Sequence, residues 1–196
     1  YRLAVERDVL VDDAARQAVV RACGSKSFCS RLRRSKTAAR TFIELVKVVQ
    51  TTQFPGGSIL RELHEVGLLV AMIPEFSPVV GRVHHDIYHV YTVDVHSVAA
   101  VDRLRALCRG DLAVEQGLAC RLAADMARPD VLFFATLLHD LGKDQGGQNH
   151  SERGADMCPA ILGRLGFEEP AIEEVQHLIR KHLRMYHVAT RRDIDD

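Results

Sequence analysis

The chain has no surplus of either charge. Its 26 Lys and Arg balance 26 Asp and Glu, which removes the electrostatic footprint of a dedicated nucleic-acid binder. No stretch approaches the roughly 20 consecutive apolar residues that span a bilayer, and no secretory leader opens the sequence. The five cysteines (Cys23, Cys29, Cys108, Cys120 and Cys158) are odd in number and form no C-x-x-C pair, which argues against a disulfide framework and a cysteine zinc site. Free thiols, some of them buried, in a cytoplasmic protein are expected instead. Period-two alternation, internal repeats and low-complexity tracts are also missing. What is there is 196 residues, 47% of them hydrophobic, enough for one domain or a domain with a helical arm. The sequence starts at Tyr1 without an initiator methionine and stops at Asp195-Asp196 after a predicted helix. It is therefore expected to be a piece of a longer protein.

The periodicity is helical throughout, so the expected fold class is all-α. Leu3, Val5, Val9 and Leu10 form one apolar stripe, and Phe42, Leu45, Val46 and Val49 form another at i, i+3, i+4, i+7. Residues 21–40 carry seven basic side chains and no acid, which fits a solvated face, a surface for a neighbouring domain or a phosphate-binding face. Ser58 is a good N-cap for a helix ended by Gly67, and Pro74 and Pro78 predict an irregular segment over 73–81. Helices are predicted over about 90–108, 111–127, 130–141, 151–164 and 170–190, with a glycine-rich loop from Gly142 to Gly147. The 130–141 helix is apolar nearly all round and should be central.

Histidine is the anomaly: there are ten, nine of them between His84 and His187. His139-Asp140 ends the most apolar helix, and an adjacent imidazole and carboxylate are costly to bury unless something pairs with them. A divalent cation is one such partner; a helix cap with a solvated Asp is the alternative. Other candidate ligands lie on different helices, as a bundle-core site requires. His96 is flanked by Ala99 and Ala100, and His150 follows the glycine loop. His182 shares an apolar face with Ile172, Val175, Ile179 and Tyr186, and is either a core histidine or a ligand. If that helix persists, Asp193 faces the same interior. This mixed nitrogen and oxygen set suits Mn²⁺, Fe²⁺, Zn²⁺, Co²⁺ or Mg²⁺. His64, His84, His85, His89, His177 and His187 read as surface or structural groups.

The order His96, His139-Asp140, Asp193 resembles the HD superfamily of metal-dependent phosphohydrolases. More specific words surround it: Met72-Ile73-Pro74-Glu75-Phe76, Tyr88 to Ser97, Leu137-Leu138-His139-Asp140-Leu141-Gly142-Lys143, His182-Leu183-Arg184-Met185 and Arg191-Arg192-Asp193. These are similar to the bifunctional PII uridylyltransferase/uridylyl-removing (GlnD) family from about Phe42 to the C-terminus. The loop 144–149 is less basic and slightly longer than that family leads one to expect. Gly56-Gly57-Ser58 is not followed by the D-x-D pair of a nucleotidyltransferase.

The resemblance implies a helical linker over 1–80 and an HD-type domain over 81–196, flanked in the full protein by nucleotidyltransferase and ACT domains. It implies a divalent cation on His96, His139, Asp140 and Asp193, and hydrolysis of UMP from uridylylated PII signalling protein, with no nucleic-acid or membrane partner. His150 and His182 would hold a second metal, orient water or donate a proton. Lys143 would neutralise phosphate or simply close a helix. The competing expectations are a small-nucleotide phosphohydrolase of the same superfamily and a non-catalytic regulatory helical domain.

Overall fold

A computed structural model describes residues 1–54, 57–83, 91–146 and 149–191. Its helices run α1 (Arg2–Glu6), α2 (Asp13–Cys23), α3 (Lys26–Arg34), α4 (Lys36–Val46), α5 (Ile59–Glu65), α6 (Leu68–Met72), α7 (Val93–Arg109), α8 (Gly117–Ala124), α9 (Pro129–Leu138), α10 (His150–Leu165), α11 (Glu169–Lys181) and α12 (Arg184–Arg191). Short 3-10 helices occupy Pro74–Val79 and Leu141–Gln145. Among the described residues the only β pairing outside helices is one isolated bridge, Val83 with Thr92. The all-α expectation holds, and no described helix is long and apolar enough to cross a membrane. All five cysteines are free.

Local chemistry explains where several helices begin. Side-chain oxygens of Asp12, Ser25, Ser35 and Ser58 accept the amide hydrogens of Ala15, Phe28, Ala38 and Arg61, satisfying donors that a helix start leaves unpaired. Pro129 opens α9, where a missing N–H costs nothing. Gly67 and Gly110 take φ of 80° and 78°, which reverses the chain after α5 and α7 as Gly readily permits.

Several expected boundaries are corrected. The first apolar stripe does not form, because α1 stops at Glu6 and Asp8 turns left-handed at φ 48°. Leu3, Val9 and Leu10 remain 57, 49 and 61% exposed. The segment 73–81 is mostly a regular 3-10 helix, with Pro74 at its start. The helix expected over 111–127 is only α8. Val114 is fully exposed and Leu112 only half-buried, so residues 111–115 have little burial to offset helix ordering. A 3-10 helix over Leu141–Gln145 takes up most of the expected glycine loop. The long terminal helix breaks after Lys181: the Ile179 carbonyl accepts both the His182 amide and His182 Nδ1, and such side-chain competition interrupts the i to i+4 ladder.

The core is continuous from Ala4 to Ile179. α9 lies between α7 and α11, with α10 packed along α11. Val131, Phe133, Phe134, Leu137 and Leu138 are essentially inaccessible, as the all-round apolar pattern predicted. Phe134 meets Phe42 of α4 edge-on at 6.3 Å and Phe167 at 5.0 Å. Arg105 of α7, 3% exposed, donates to Asp102, Ser58 and the Val46 carbonyl at 2.8, 3.1 and 2.8 Å. That network joins α4 and α5 to the helix that carries His96.

Candidate metal centre

α9 delivers His139 and Asp140 immediately after its last turn, at the floor of the bundle. Asp140 is 2% exposed. The chain can turn there because Gly142 abuts α10: a Cβ on it would lie 2.1 Å from the His150 carbonyl oxygen and 2.6 Å from the Gly154 nitrogen. No other residue allows that approach, and it seats the first turn of α10, with His150, over the acid.

Four imidazoles then surround one carboxylate. On the Oδ2 side, His139 Nε2 stands at 3.2 Å, His96 Nε2 at 3.8 Å and Lys143 Nζ at 2.8 Å. On the Oδ1 side, His150 Nε2 stands at 3.4 Å and His182 Nε2 at 3.9 Å. His150 and His182 bring their Nε2 atoms to 3.3 Å of each other. Two sets of potential metal donors result, sharing Asp140: His96, His139, Asp140 and Asp140, His150, His182.

The backbone decides how two of these rings present themselves. His139 Nδ1 lies 2.7 Å from the Thr136 carbonyl and His182 Nδ1 lies 2.7 Å from the Ile179 carbonyl. A carbonyl only accepts, so Nδ1 carries a proton in both rings and Nε2 is the atom turned to the centre. For His139 that Nε2 faces a carboxylate oxygen, which is favourable only with a proton or a cation between the two. Asp140 Oδ1 is buried and accepts no hydrogen bond among the described residues, a costly arrangement for an anion. Burial alone would raise the Asp140 pKa. The contacts with His139 and Lys143 outweigh it and hold the carboxyl well below its ordinary range. Burial pushes His182 down, keeping its ring neutral.

These residues fit a divalent cation. A tetrahedral ion with bonds of about 2.0–2.1 Å spaces its donors about 3.3–3.4 Å apart; Asp140 lies 3.2 and 3.8 Å from the imidazoles of one set, and the other set shows 3.3, 3.4 and 3.9 Å. The donor set is imidazole and carboxylate, which suits borderline first-row metals.

Of the expected site residues, His96, His139, Asp140, Lys143, His150 and His182 converge. Asp193 lies outside the described residues, as do His84, His85 and His89. Tyr186 does not share the interior with His182; the break before α12 leaves it 65% exposed. His177 and His187 are at the surface. His64 has a structural partner, donating to buried Asp94 at 2.8 Å. Sequence reasoning missed Arg153, which donates to the carbonyls of Gly142 (2.6 Å) and Gly146 (2.5 Å) and straps the 141–146 turn to α10. The only signal was its position one helical turn after His150.

Comparison with known proteins agrees with this arrangement. The profile described as HD domain matches residues 93–195, a span holding all the converging residues. The chain is similar to the bifunctional uridylyltransferase/uridylyl-removing enzyme of Azospirillum brasilense, with 32% identity over 196 residues, 100% of this chain and 20% of that protein. The enzyme of the same name from Gluconobacter oxydans is 43% identical over 134 residues, 68% of this chain and 14% of that one. That from Azotobacter vinelandii is 36% identical over 155 residues, 79% and 17% respectively. The chain thus spans a fifth or less of the length of these relatives.

Proposed function

The chain belongs to the HD domain family, and from that premise we propose that it is a metal-dependent phosphodiesterase releasing UMP from a uridylylated PII signalling protein. The observation that carries this reading is the buried Asp140, with inward-facing imidazoles at both its oxygens. The relatives named above are uridylyl-removing enzymes, which supports the choice of leaving nucleotide. We assign residues 1–80 to a helical linker and 81–196 to the HD domain of a cytoplasmic multidomain enzyme, with nucleotidyltransferase and ACT domains beyond them.

His96, His139 and Asp140, with Asp193 as fourth ligand, would hold one cation; His150 and His182, with Asp140, would hold a second. Mn²⁺, Mg²⁺, Fe²⁺, Zn²⁺ and Co²⁺ all suit such donors. A bound cation would supply Lewis acidity, polarising a phosphoryl oxygen and lowering the pKa of water. The protein does the rest by position. Thr136 and Ile179 fix the tautomers of His139 and His182, and Gly142 and Arg153 hold His150 over Asp140. Lys143, beside Oδ2, neutralises phosphate charge. With UMP carried on a tyrosine of PII, as the family resemblance implies, water adds to phosphorus and gives up a proton, the bond to the tyrosine oxygen breaks, and the phenolate takes up a proton. With a phenol pKa of about 10, that leaving group demands less acid assistance than an alkoxide.

The test is UMP release from uridylylated PII with Mn²⁺ present, run beside a panel of free nucleotides and guanosine polyphosphates. Release from PII, abolished in Asp140→Asn, is the expected result. Turnover of free nucleotides with none of PII-UMP would replace this reading by the small-nucleotide one, and no turnover with no bound metal would leave a non-catalytic helical domain.

A further inference from the structure

A groove of about 710 Å³ opens beside the metal centre. The first turn of α10 forms one wall and the corner between α11 and α12 the other, and buried His150 contributes to the lining. Once internal pairs are removed, its charge is one-sided. Arg180 is engaged by Glu152 at 3.1 Å and Asp156 at 3.0 Å. Lys181 and Arg184 are exposed, and neither has an ion pair with a carboxylate among the described residues. Next to them on α12, Met185 and Tyr186 are 79 and 65% exposed. Arg, Met and Tyr together are the composition that protein interfaces favour, whereas a small-molecule site buries most of its ligand in a concave, mainly apolar pocket.

We infer that this corner docks the protein substrate, Lys181 and Arg184 receiving an acidic segment beside the modified side chain while Met185 and Tyr186 cover adjoining apolar surface. The inference rests on the hydrolase reading above. It assigns recognition of the protein, as distinct from its nucleotide, to residues outside the metal centre. Rim charges of this kind act on encounter and orientation more than on the chemical step.

The experiment compares the chain with its Lys181→Glu/Arg184→Glu double variant on two substrates, uridylylated PII and the p-nitrophenyl ester of thymidine 5′-monophosphate. The expected result is a KM for uridylylated PII raised about tenfold at low salt, with kcat within about threefold. The wild-type KM should rise with ionic strength and that of the double variant should not. The conservative Lys181→Arg/Arg184→Lys variant restores the wild-type KM. Should the charge reversal unfold the chain, as circular dichroism would show, Lys181→Gln/Arg184→Gln takes its place with the same expected direction. Lys36→Glu/Arg40→Glu, an equal charge change at two exposed positions of α4, leaves the KM for PII unchanged. An unchanged KM in the groove variant, an equal rise in Lys36→Glu/Arg40→Glu, or an equal rise for the small ester would each overturn the inference. Failure of the wild type to hydrolyse either substrate would instead overturn the hydrolase reading.

Discussion

Replacing Gly142 by alanine tests the contact on which the centre is built. The added Cβ would fall 2.1 Å from the His150 carbonyl oxygen and 2.6 Å from the Gly154 nitrogen, both backbone atoms that no rotamer change can move. Restoring an ordinary 3.4 Å separation from the oxygen requires the α10 N-terminus to retreat about 1.3 Å from the 141–146 turn. Overpacking of this kind costs about 1–3 kcal/mol. In a chain of this length that lowers the melting temperature by about 2–4 °C per kcal/mol. On the hydrolase reading the effect on turnover is larger, because His150, 3.4 Å from Asp140 and 3.3 Å from His182, moves with the helix. A displacement near 1 Å in a catalytic constellation costs on the order of 100-fold. Gly154→Ala is the matched control on the facing surface. Its Cβ would meet the Gly142 nitrogen, the His139 carbonyl and Ile179 at 3.4–3.5 Å, ordinary contact distances, and alanine gains up to about 1 kcal/mol of helix propensity over glycine. Thermal unfolding and UMP release, measured on both variants, decide the matter. A Gly142→Ala protein as stable and active as wild type, or one less impaired than Gly154→Ala, would refute the close-approach argument.

Other expectations follow from the same contacts. Asp140→Asn should lose stoichiometric Mn²⁺ binding by titration calorimetry while keeping its far-ultraviolet dichroism, since shape is retained and the shared ligand charge is not. Arg105→Leu should lower the denaturant-derived unfolding free energy by about 3 kcal/mol or more; it removes a cation paired with Asp102, which keeps the Ser58 hydroxyl at 2.6 Å, and leaves the Val46 carbonyl without its donor. Burial pushes the Cys158 thiol from 9.0 up to about 12. The native state therefore retains a proton that the unfolded chain releases, and stability should decline between about pH 9 and pH 12, by at most about 1.4 kcal/mol per pH unit. Cys158→Ala should flatten that alkaline limb, and iodoacetamide at pH 8 should leave native Cys158 unlabelled.

The central helix and most of the cluster were legible because they depend on local pattern. Residues 131–138 are apolar except for Thr136, a pattern that suits a buried α9, and His139-Asp140 at its end is then expected to be interior. His96 was legible from its place on a long helix beside small residues. His182 was legible as a face position, but the helix break that orients it was not, because the break comes from its own Nδ1 binding the Ile179 carbonyl. A periodicity argument extends a helix through such a residue, and so wrongly carried Tyr186 inward. The shortness of α1 and α8 was hidden for a related reason: apolar spacing shows which face could be buried, not whether a neighbour exists to bury it. Arg153 and the Gly142 contact depend on two segments meeting in space, and spacing along the chain carries little trace of that.

The central claim is that the imidazoles around Asp140 hold a divalent cation, and anomalous diffraction from crystals soaked in Mn²⁺ tests it most directly. The account predicts a peak within bonding distance of His139 Nε2, His96 Nε2 and Asp140 Oδ2, absent from Asp140→Asn crystals. A cluster that stays free of manganese at saturating concentration, with Lys143 still bound to Asp140, would contradict it.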